Sequence, residues 1–91
     1  GVDIDPAKIG RTLADLTGEG SFGGAKVHPS LEALFAVAKP DVILHTAGSS
    51  AAASFAQVRP ALEAGVSVAS TCEELIFPAL TAGDAELVAC L

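Results

Sequence analysis

The fold is decided by a stretch in the middle of the chain, Asp41-Val42-Ile43-Leu44-His45-Thr46-Ala47-Gly48-Ser49-Ser50. It runs from a short, continuously apolar segment into a turn of small residues, which is typical of a buried strand entering a helix. Apolar side chains recur at helical spacing through Ala51–Ala64, Gly65 ends that helix, and Val66–Ala69 is a second apolar run. This order predicts a βαβ unit with a parallel sheet that is covered on both faces.

The same alternation continues on both sides of this unit. On the N-terminal side we expect a strand, a helix capped by Asp5 and begun by Pro6, a glycine-rich loop, a short strand and a second helix. On the C-terminal side we expect a helix interrupted by Pro78 and a last helix capped by Asp84. The predicted segments are Gly1–Ile4, Pro6–Leu16, Gly18–Gly24, Lys26-Val27, Ser30–Ala38, Glu73–Leu80 and Ala85–Leu91.

This pattern predicts an α/β fold, namely part of a doubly wound, Rossmann-type parallel sheet with flanking helices. Right-handed crossovers between the strands give that arrangement. The chain contains no Met and begins at Gly1, directly before the strand-like Val2. We therefore expect residues 1–91 to be processed from, or to be a piece of, a longer protein.

Composition and charge argue against several classes of protein. The chain has 91 residues, of which 51% are hydrophobic, and a formal net charge of −6. This hydrophobicity argues against disorder, yet the apolar runs are too short to cross a membrane. The acidic balance and the lack of a Lys/Arg cluster argue against nucleic-acid binding. The first charged residues of the chain are acidic, which argues against a secretory signal. The two cysteines lack metal-type spacing, which favours a reducing, cytoplasmic compartment.

Asp3 is the first candidate binding residue, because it lies at the carboxyl end of a predicted strand, where ligands bind in open α/β sheets. In a dinucleotide fold, an acidic residue at the end of the second strand accepts hydrogen bonds from the adenosine ribose. Alternatively, Asp3 is a solvated carboxylate at the end of a strand and binds no ligand. Asp5 is interpreted as a helix cap, because Pro6 follows it.

Two turns follow the other predicted strands. The first, Thr46–Ser50, is built of small residues, so a ligand could approach its backbone, and the following helix would present free N–H groups. A turn that only leads the chain into a helix capped by Ser50 fits equally well. The second turn, Ser70–Glu74, ends in two acidic residues, which also suit the positive end of a helix dipole.

The remaining reactive side chains give no catalytic set. Cys72 is not favoured as a nucleophile, because acidic neighbours follow it and no basic group is near in sequence. His28 and His45 are isolated, and we interpret His45 as a core or rim residue with satisfied hydrogen bonds rather than as a ligand. No Ser/His/Asp set, metal cluster or GxGxxG turn is predicted.

Three stretches together resemble the nucleotide-binding domain of the dihydrodipicolinate reductase-like dehydrogenases. The third stretch, through its Ser-Thr-Cys-Glu-Glu-Leu sequence, points to the branch that includes 2,4-diaminopentanoate dehydrogenase. The stretches are Val2-Asp3-Ile4-Asp5-Pro6-Ala7-Lys8-Ile9-Gly10, Lys39-Pro40-Asp41-Val42-Ile43-Leu44-His45-Thr46-Ala47-Gly48-Ser49 and Ala64-Gly65-Val66-Ser67-Val68-Ala69-Ser70-Thr71-Cys72-Glu73-Glu74-Leu75 with Pro78.

The resemblance implies a two-domain oxidoreductase that uses NAD or NADP and moves a hydride between nicotinamide and an amino-acid-like or cyclic imine substrate. Residues 1–91 would be an incomplete dinucleotide-binding domain, since the first strand, the glycine-rich turn and the substrate domain with the catalytic groups would lie outside. Asp3 would meet the adenosine ribose. By position, the residues lining the middle of the cofactor would be Thr46, Ala47, Gly48 and Ser49, and those near the nicotinamide and substrate would be Thr71, Cys72 and Glu73.

Two other functions fit the same pattern: a non-catalytic Rossmann-like module that binds a nucleotide or a partner, and a purely structural α/β domain.

The absence of the first strand would affect two predicted strands. Gly1–Ile4 and Asp41–His45 would lose the strand that lies between them, so they either pair with each other or leave a gap in the sheet. We therefore expect the 91-residue chain to be poorly stable alone or to self-associate, and the dehydrogenase to be a homo-oligomer.

Overall fold

The structure, a computed structural model, describes residues 1–76. The chain divides into two compact units, Gly1–Lys39 and Pro40–Leu91. The helix predicted at Ala85–Leu91, the cap at Asp84 and the interruption at Pro78 lie outside the described residues. No helix within residues 1–76 is long and apolar enough to cross a membrane.

Short elements and single bridges build the first unit. A parallel bridge joins Val2 to His28, and an antiparallel bridge joins Thr12 to Lys26. Gly1–Ile4, predicted as a strand, therefore contributes one bridge and not a full strand. The helical elements of this unit are α1 at Leu13–Thr17, a 3-10 helix at Gly20–Phe22 and α2 at Leu31–Phe35.

The helix predicted at Pro6–Leu16 is wrong in its first half. Residues 6–10 form a turn, and the chain leaves it through Gly10, whose φ of +84° is open to glycine at little steric cost. The Gly10 N–H then donates to the Val27 carbonyl at 2.9 Å, so the backbone pairs with another segment instead of continuing the helix. The helix starts only after Thr12, whose hydroxyl caps it by accepting from the Asp15 N–H.

The helix ends of the first unit follow their capping residues. Gly18 closes α1 in the left-handed conformation at φ +74°, and its N–H donates to the Ala14 carbonyl. Ser30 caps α2 through its hydroxyl, which accepts from the Ala33 N–H at 3.1 Å. Helix α2 stops at Phe35, three residues earlier than predicted.

The second unit contains the predicted βαβ arrangement. Strands β1 at Val42–His45 and β2 at Ser67–Ser70 are parallel, and helix α3 at Ala51–Glu63 connects them. A 3-10 helix follows at Glu73–Ile76, within the segment predicted to be helical. A small α/β fold with a two-stranded parallel sheet is therefore confirmed for the described residues.

Helix α3 forms where the apolar spacing predicts it and ends one residue earlier. Ser50 caps its start, and Gly65 follows its end at φ +73°. Leu62 and Leu75 pack against the buried pair Ala51 and Phe55. The buried residues of the helix are Ala51, Ser54, Phe55, Val58 and Ala61, which recur at the spacing of one helix face.

Among residues 1–76, the expectation that both faces of the sheet are covered is wrong. Val42 is 59% exposed and Leu44 is 74% exposed, whereas Ile43 and Val68 are half-buried. Successive strand residues point to opposite faces, so the first two side chains share the face that remains open. An unbroken apolar run such as Val-Ile-Leu does not indicate which of its two faces is covered.

Candidate functional site

The two candidate turns of the second unit meet at one edge of the sheet. The register aligns His45 with Ser70, the last residues of the two strands. The Thr71 N–H donates to the His45 carbonyl at 3.0 Å, which continues the pairing one step beyond the strands. The turns 46–49 and 71–73 therefore begin side by side, as parallel strands require.

The predicted binding residues at this edge differ in accessibility. Most of their side chains face solvent and are open to a ligand. The Cys72 side chain is only 3% exposed, so a ligand at the surface would meet its backbone rather than its sulfur. The exposed members are Thr46, Ala47, Ser49, Thr71 and Glu73, and Gly48 is half-buried.

His45 is the centre of a hydrogen-bond network behind the two turns. Its ring is 7% exposed, and both ring nitrogens have partners. Nδ1 lies 2.8 Å from the Ser70 Oγ, and Nε2 lies 2.7 Å from the Gln57 Oε1 on α3. The interpretation of His45 as a residue with satisfied hydrogen bonds is therefore confirmed. Both nitrogens of the buried ring have partners that replace the water lost on burial.

Ser70 links this network to the second turn. Its Oγ accepts from the Cys72 N–H at 3.1 Å while it contacts His45 on the other side. These two bonds hold the end of β2 and the start of the turn in one conformation. The edge of the sheet is thus fixed by polar contacts on its protein side and open on its solvent side.

The N-terminus of α3 is not the set of free N–H groups that the sequence suggests. The Ala51 N–H donates to the Glu74 Oε2 at 2.6 Å, and the Ser50 Oγ accepts from the Ala53 N–H at 3.4 Å. Glu74 follows β2 in the chain, so its carboxylate satisfies a helix that begins after β1. A negative charge at this position is favoured by the helix dipole, and the protein itself supplies it.

Ser54 carries a polar atom without a hydrogen bond. Its side chain is fully buried, and its Oγ has no partner among the described residues. A Cβ at Gly48 would lie 3.3 Å from this oxygen and 3.6 Å from the Gln57 Oε1. The φ of Gly48 is not positive, so a side chain at this position would be opposed by its contacts with Ser54 and Gln57 and not by backbone strain.

We expect the substitutions Gly48→Ala and Ser54→Ala to be coupled. Ser54→Ala should stabilise the fold by about 1 kcal/mol, because it removes an unsatisfied buried hydroxyl. Gly48→Ala alone should be close to neutral, since its gain of about 0.4–1 kcal/mol from the unfolded chain is offset by the contact with Ser54. In the Ser54→Ala background the gain should appear in full. Urea unfolding of both single variants and the double variant measures the coupling; additive values would contradict it.

Asp3 belongs to the first unit, and its carboxylate is engaged locally. Its Oδ1 accepts from the Asp5 N–H at 2.9 Å, and its Oδ2 forms an ion pair with the Lys8 Nζ at 3.0 Å. The backbone hydrogen bond from Asp5, followed by the bond from Lys8, lowers the pKa of the Asp3 carboxyl below its ordinary value of 3.8. The Asp5 carboxylate accepts from the Ala7 N–H and so caps a turn rather than the predicted helix.

The pKa of Asp3 should respond only in part to loss of its lysine partner. Lys8→Met removes the ion pair but leaves the larger cause, the bond from the Asp5 N–H, so the pKa should rise and still remain below 3.8. Because the folded pKa is depressed, this carboxylate contributes stability above pH 3.8 that is lost as the pH falls through its folded pKa. An NMR titration of the Asp3 carboxyl carbon in both proteins measures this. A return to the ordinary value in the variant would show that Lys8 alone causes the shift.

Sequence reasoning missed two residues of this site, Ser54 and Gln57, and the partner of a third, Glu74. Ser54 gives the one usable signal, because a polar residue there interrupts the apolar face made by Ala51, Phe55 and Val58. Gln57 lies one turn further along, at the spacing that brings it over the same end of the sheet. The bond from Glu74 to Ala51 spans 23 residues, and no local pattern predicts such a contact.

No family model, curated protein or solved structure matches the chain. Within residues 1–76, no group of three or more His, Cys, Asp or Glu side chains could hold a metal ion. The groups available at the edge of the sheet are hydroxyls, one imidazole, an amide, carboxylates and backbone N–H and C=O groups.

Proposed function

We propose that this chain is the cofactor-binding part of an NAD(P)-dependent oxidoreductase with a Rossmann-type sheet. The observation that carries the proposal is the pairing of His45 with Ser70, which brings the two candidate turns together at the carboxyl edge of a βαβ unit. In parallel α/β sheets this edge is where nucleotides bind. The resemblance to dihydrodipicolinate reductase-like dehydrogenases supports the same function.

The side chains at this edge suit the uncharged parts of a dinucleotide. Thr46, Ser49 and Thr71 carry exposed hydroxyls that can donate to and accept from ribose hydroxyls and the nicotinamide carboxamide. Gly48 leaves its backbone open to close approach. A phosphate is less suited to the start of α3, because the Glu74 carboxylate already binds there. We therefore assign to these turns the ribose and carboxamide groups on the nicotinamide side of the cofactor, and not its pyrophosphate.

In this function the protein binds and orients, and the nicotinamide supplies the hydride chemistry when it is bound. The two turns would hold the cofactor against the edge of the sheet. For Asp3 the proposal rests on the resemblance alone, which implies that its carboxylate would accept from the adenosine ribose. The proposed substrate is an amino-acid-like or cyclic imine compound, and the proposed assembly is a homo-oligomer.

Titration with NADH and NADPH tests the proposal. The chain contains no Trp or Tyr, so the fluorescence of the reduced nicotinamide can be read without protein background. We expect binding of at least one cofactor, with amide NMR shifts concentrated at 46–49 and 71–73. Gly48→Val should weaken this binding, because its side chain would crowd Ser54 and Gln57 and displace the backbone of the first turn. Leu44→Thr, on the exposed face of the sheet, is the matched control and should leave affinity unchanged.

Two results would overturn this function. If neither NADH nor NADPH shifts the two turns, the edge is not a dinucleotide site. If ADP-ribose binds as tightly as NADH, the nicotinamide contributes nothing, and the non-catalytic nucleotide-binding module becomes the better interpretation.

A further inference from the structure

The two hydrogen bonds of His45 favour one tautomer of its ring. The Gln57 Oε1 can only accept, so the ring nitrogen that faces it, Nε2, carries the hydrogen. In that tautomer Nδ1 carries no hydrogen. It can only accept, and the atom 2.8 Å from it is the Ser70 Oγ. The hydroxyl proton of Ser70 is therefore directed at a nitrogen base.

Ser70 is the exposed end of this chain of bonds. A serine hydroxyl has one hydrogen and two lone pairs. The hydrogen points to the His45 Nδ1, and one lone pair accepts from the Cys72 N–H. The second lone pair remains for an incoming group, and Ser70 itself is exposed to solvent. A held hydroxyl, an adjacent base and a third group that orients the base are the elements of an activated nucleophile.

We propose that Ser70 is a base-activated acyl acceptor, with His45 as its base and Gln57 as the positioning residue for His45. The ligand class is an activated ester or thioester of a small carboxylic acid. This inference goes beyond cofactor binding and does not depend on it.

The reaction is a single acyl transfer. The Ser70 Oγ forms a bond to the acyl carbon while its proton moves to the His45 Nδ1. The bond from the acyl carbon to the leaving oxygen or sulfur then breaks, and the proton returns from Nδ1 to that leaving group. The products are the ester on Ser70 and a free alcohol or thiol, so no oxidant or further reactant is needed.

Ser67 provides an internal comparison. It lies on the same strand and is also exposed, but its position three residues earlier places it on the opposite face of the sheet from Ser70. Both residues are exposed, the contacts of the Ser70 hydroxyl are partly buried, and His45 faces only Ser70. A difference in reactivity between them reports activation rather than exposure.

Acetylation by p-nitrophenyl acetate tests the proposal on the purified chain. We expect one acetyl ester per chain, mapped by peptide mass spectrometry to Ser70, which forms about 100-fold faster than any ester at Ser67. Ser70→Ala should abolish this product, and Ser67→Ala should leave it unchanged. Equal labelling of the two serines would overturn the proposal.

Variants of Gln57 test whether the reactivity of Ser70 depends on the acceptor that faces the His45 Nε2, and not only on a correctly folded chain. Gln57→Glu keeps an acceptor opposite Nε2 and should retain the reactivity of Ser70. Gln57→Met removes the acceptor and should slow acetylation at least about tenfold. The ¹⁵N shifts of the imidazole should show hydrogen on Nε2 in the natural chain. Hydrogen on Nδ1 instead, or unchanged reactivity in Gln57→Met, would overturn the assigned roles even if Ser70 is labelled.

Discussion

Replacing His45 with alanine is expected to lower the free energy of unfolding by about 3 kcal/mol. The ring is buried, so its loss leaves a cavity at the end of β1. It also leaves the Ser70 hydroxyl and the Gln57 amide without the partners that hold them at 2.8 Å and 2.7 Å. A loss of this size is a large fraction of the stability of any small domain, so it should be plain in urea unfolding followed by circular dichroism.

The matched control for this variant is Leu44→Ala, one residue earlier on the same strand. Its side chain is 74% exposed, so its truncation should cost less than about 0.5 kcal/mol. Equal costs at the two positions would mean that the network around His45 does not stabilise the fold. A third variant, His45→Gln, keeps one polar contact and should fall between the natural chain and the alanine variant.

The βαβ unit could be predicted because its signals are local and consistent with one another. Apolar spacing, the Ser50 cap and Gly65 all predict a helix at Ala51–Ala64, and the structure places α3 at Ala51–Glu63. The two apolar runs on either side can then pair in parallel only through a helical crossover. The pairing of His45 with Ser70 follows from where these two strands end.

The first unit is predicted less well, because its backbone groups form hydrogen bonds with segments that are distant in the sequence. Helical spacing at Ile9, Leu13 and Leu16 predicts one helix, and it takes no account of the Gly10 N–H bonding to Val27. A glycine inside a helical pattern lowers helix propensity, and here the alternative hydrogen bond is sufficient to divide the segment. Gly10 and Thr12 together were the available signals for a later helix start.

At the candidate site, the sequence predicted the positions of the turns but not the partners of their polar groups. The partners of His45 are separated from it by 25 and 12 residues, and either could have been another hydroxyl or amide. The prediction of a free N–H group at Ala51 is wrong for the same reason. A carboxylate far along the chain accepts from it, and only the folded arrangement shows that it does.

Removing the Glu74 carboxylate is expected to destabilise the fold by about 1–2 kcal/mol in Glu74→Ala. The Ala51 N–H, on a residue that is 2% exposed, would lose an acceptor at 2.6 Å and the favourable charge at the start of α3. Glu74→Gln keeps an acceptor oxygen but not the charge, so it should cost about half as much. Urea unfolding gives the free energies, and hydrogen exchange of the Ala51 amide gives the local effect.

Glu73→Ala is the matched control, because this exposed neighbour carries the same charge in the same 3-10 helix. It should change stability by less than about 0.5 kcal/mol and leave the exchange of the Ala51 amide unaltered. If both alanine variants lose the same stability, the effect comes from general charge near α3 and not from the bond to Ala51. If Glu74→Gln is as stable as the natural chain, the hydrogen bond alone is sufficient, and the helix dipole contributes nothing measurable at this end of α3.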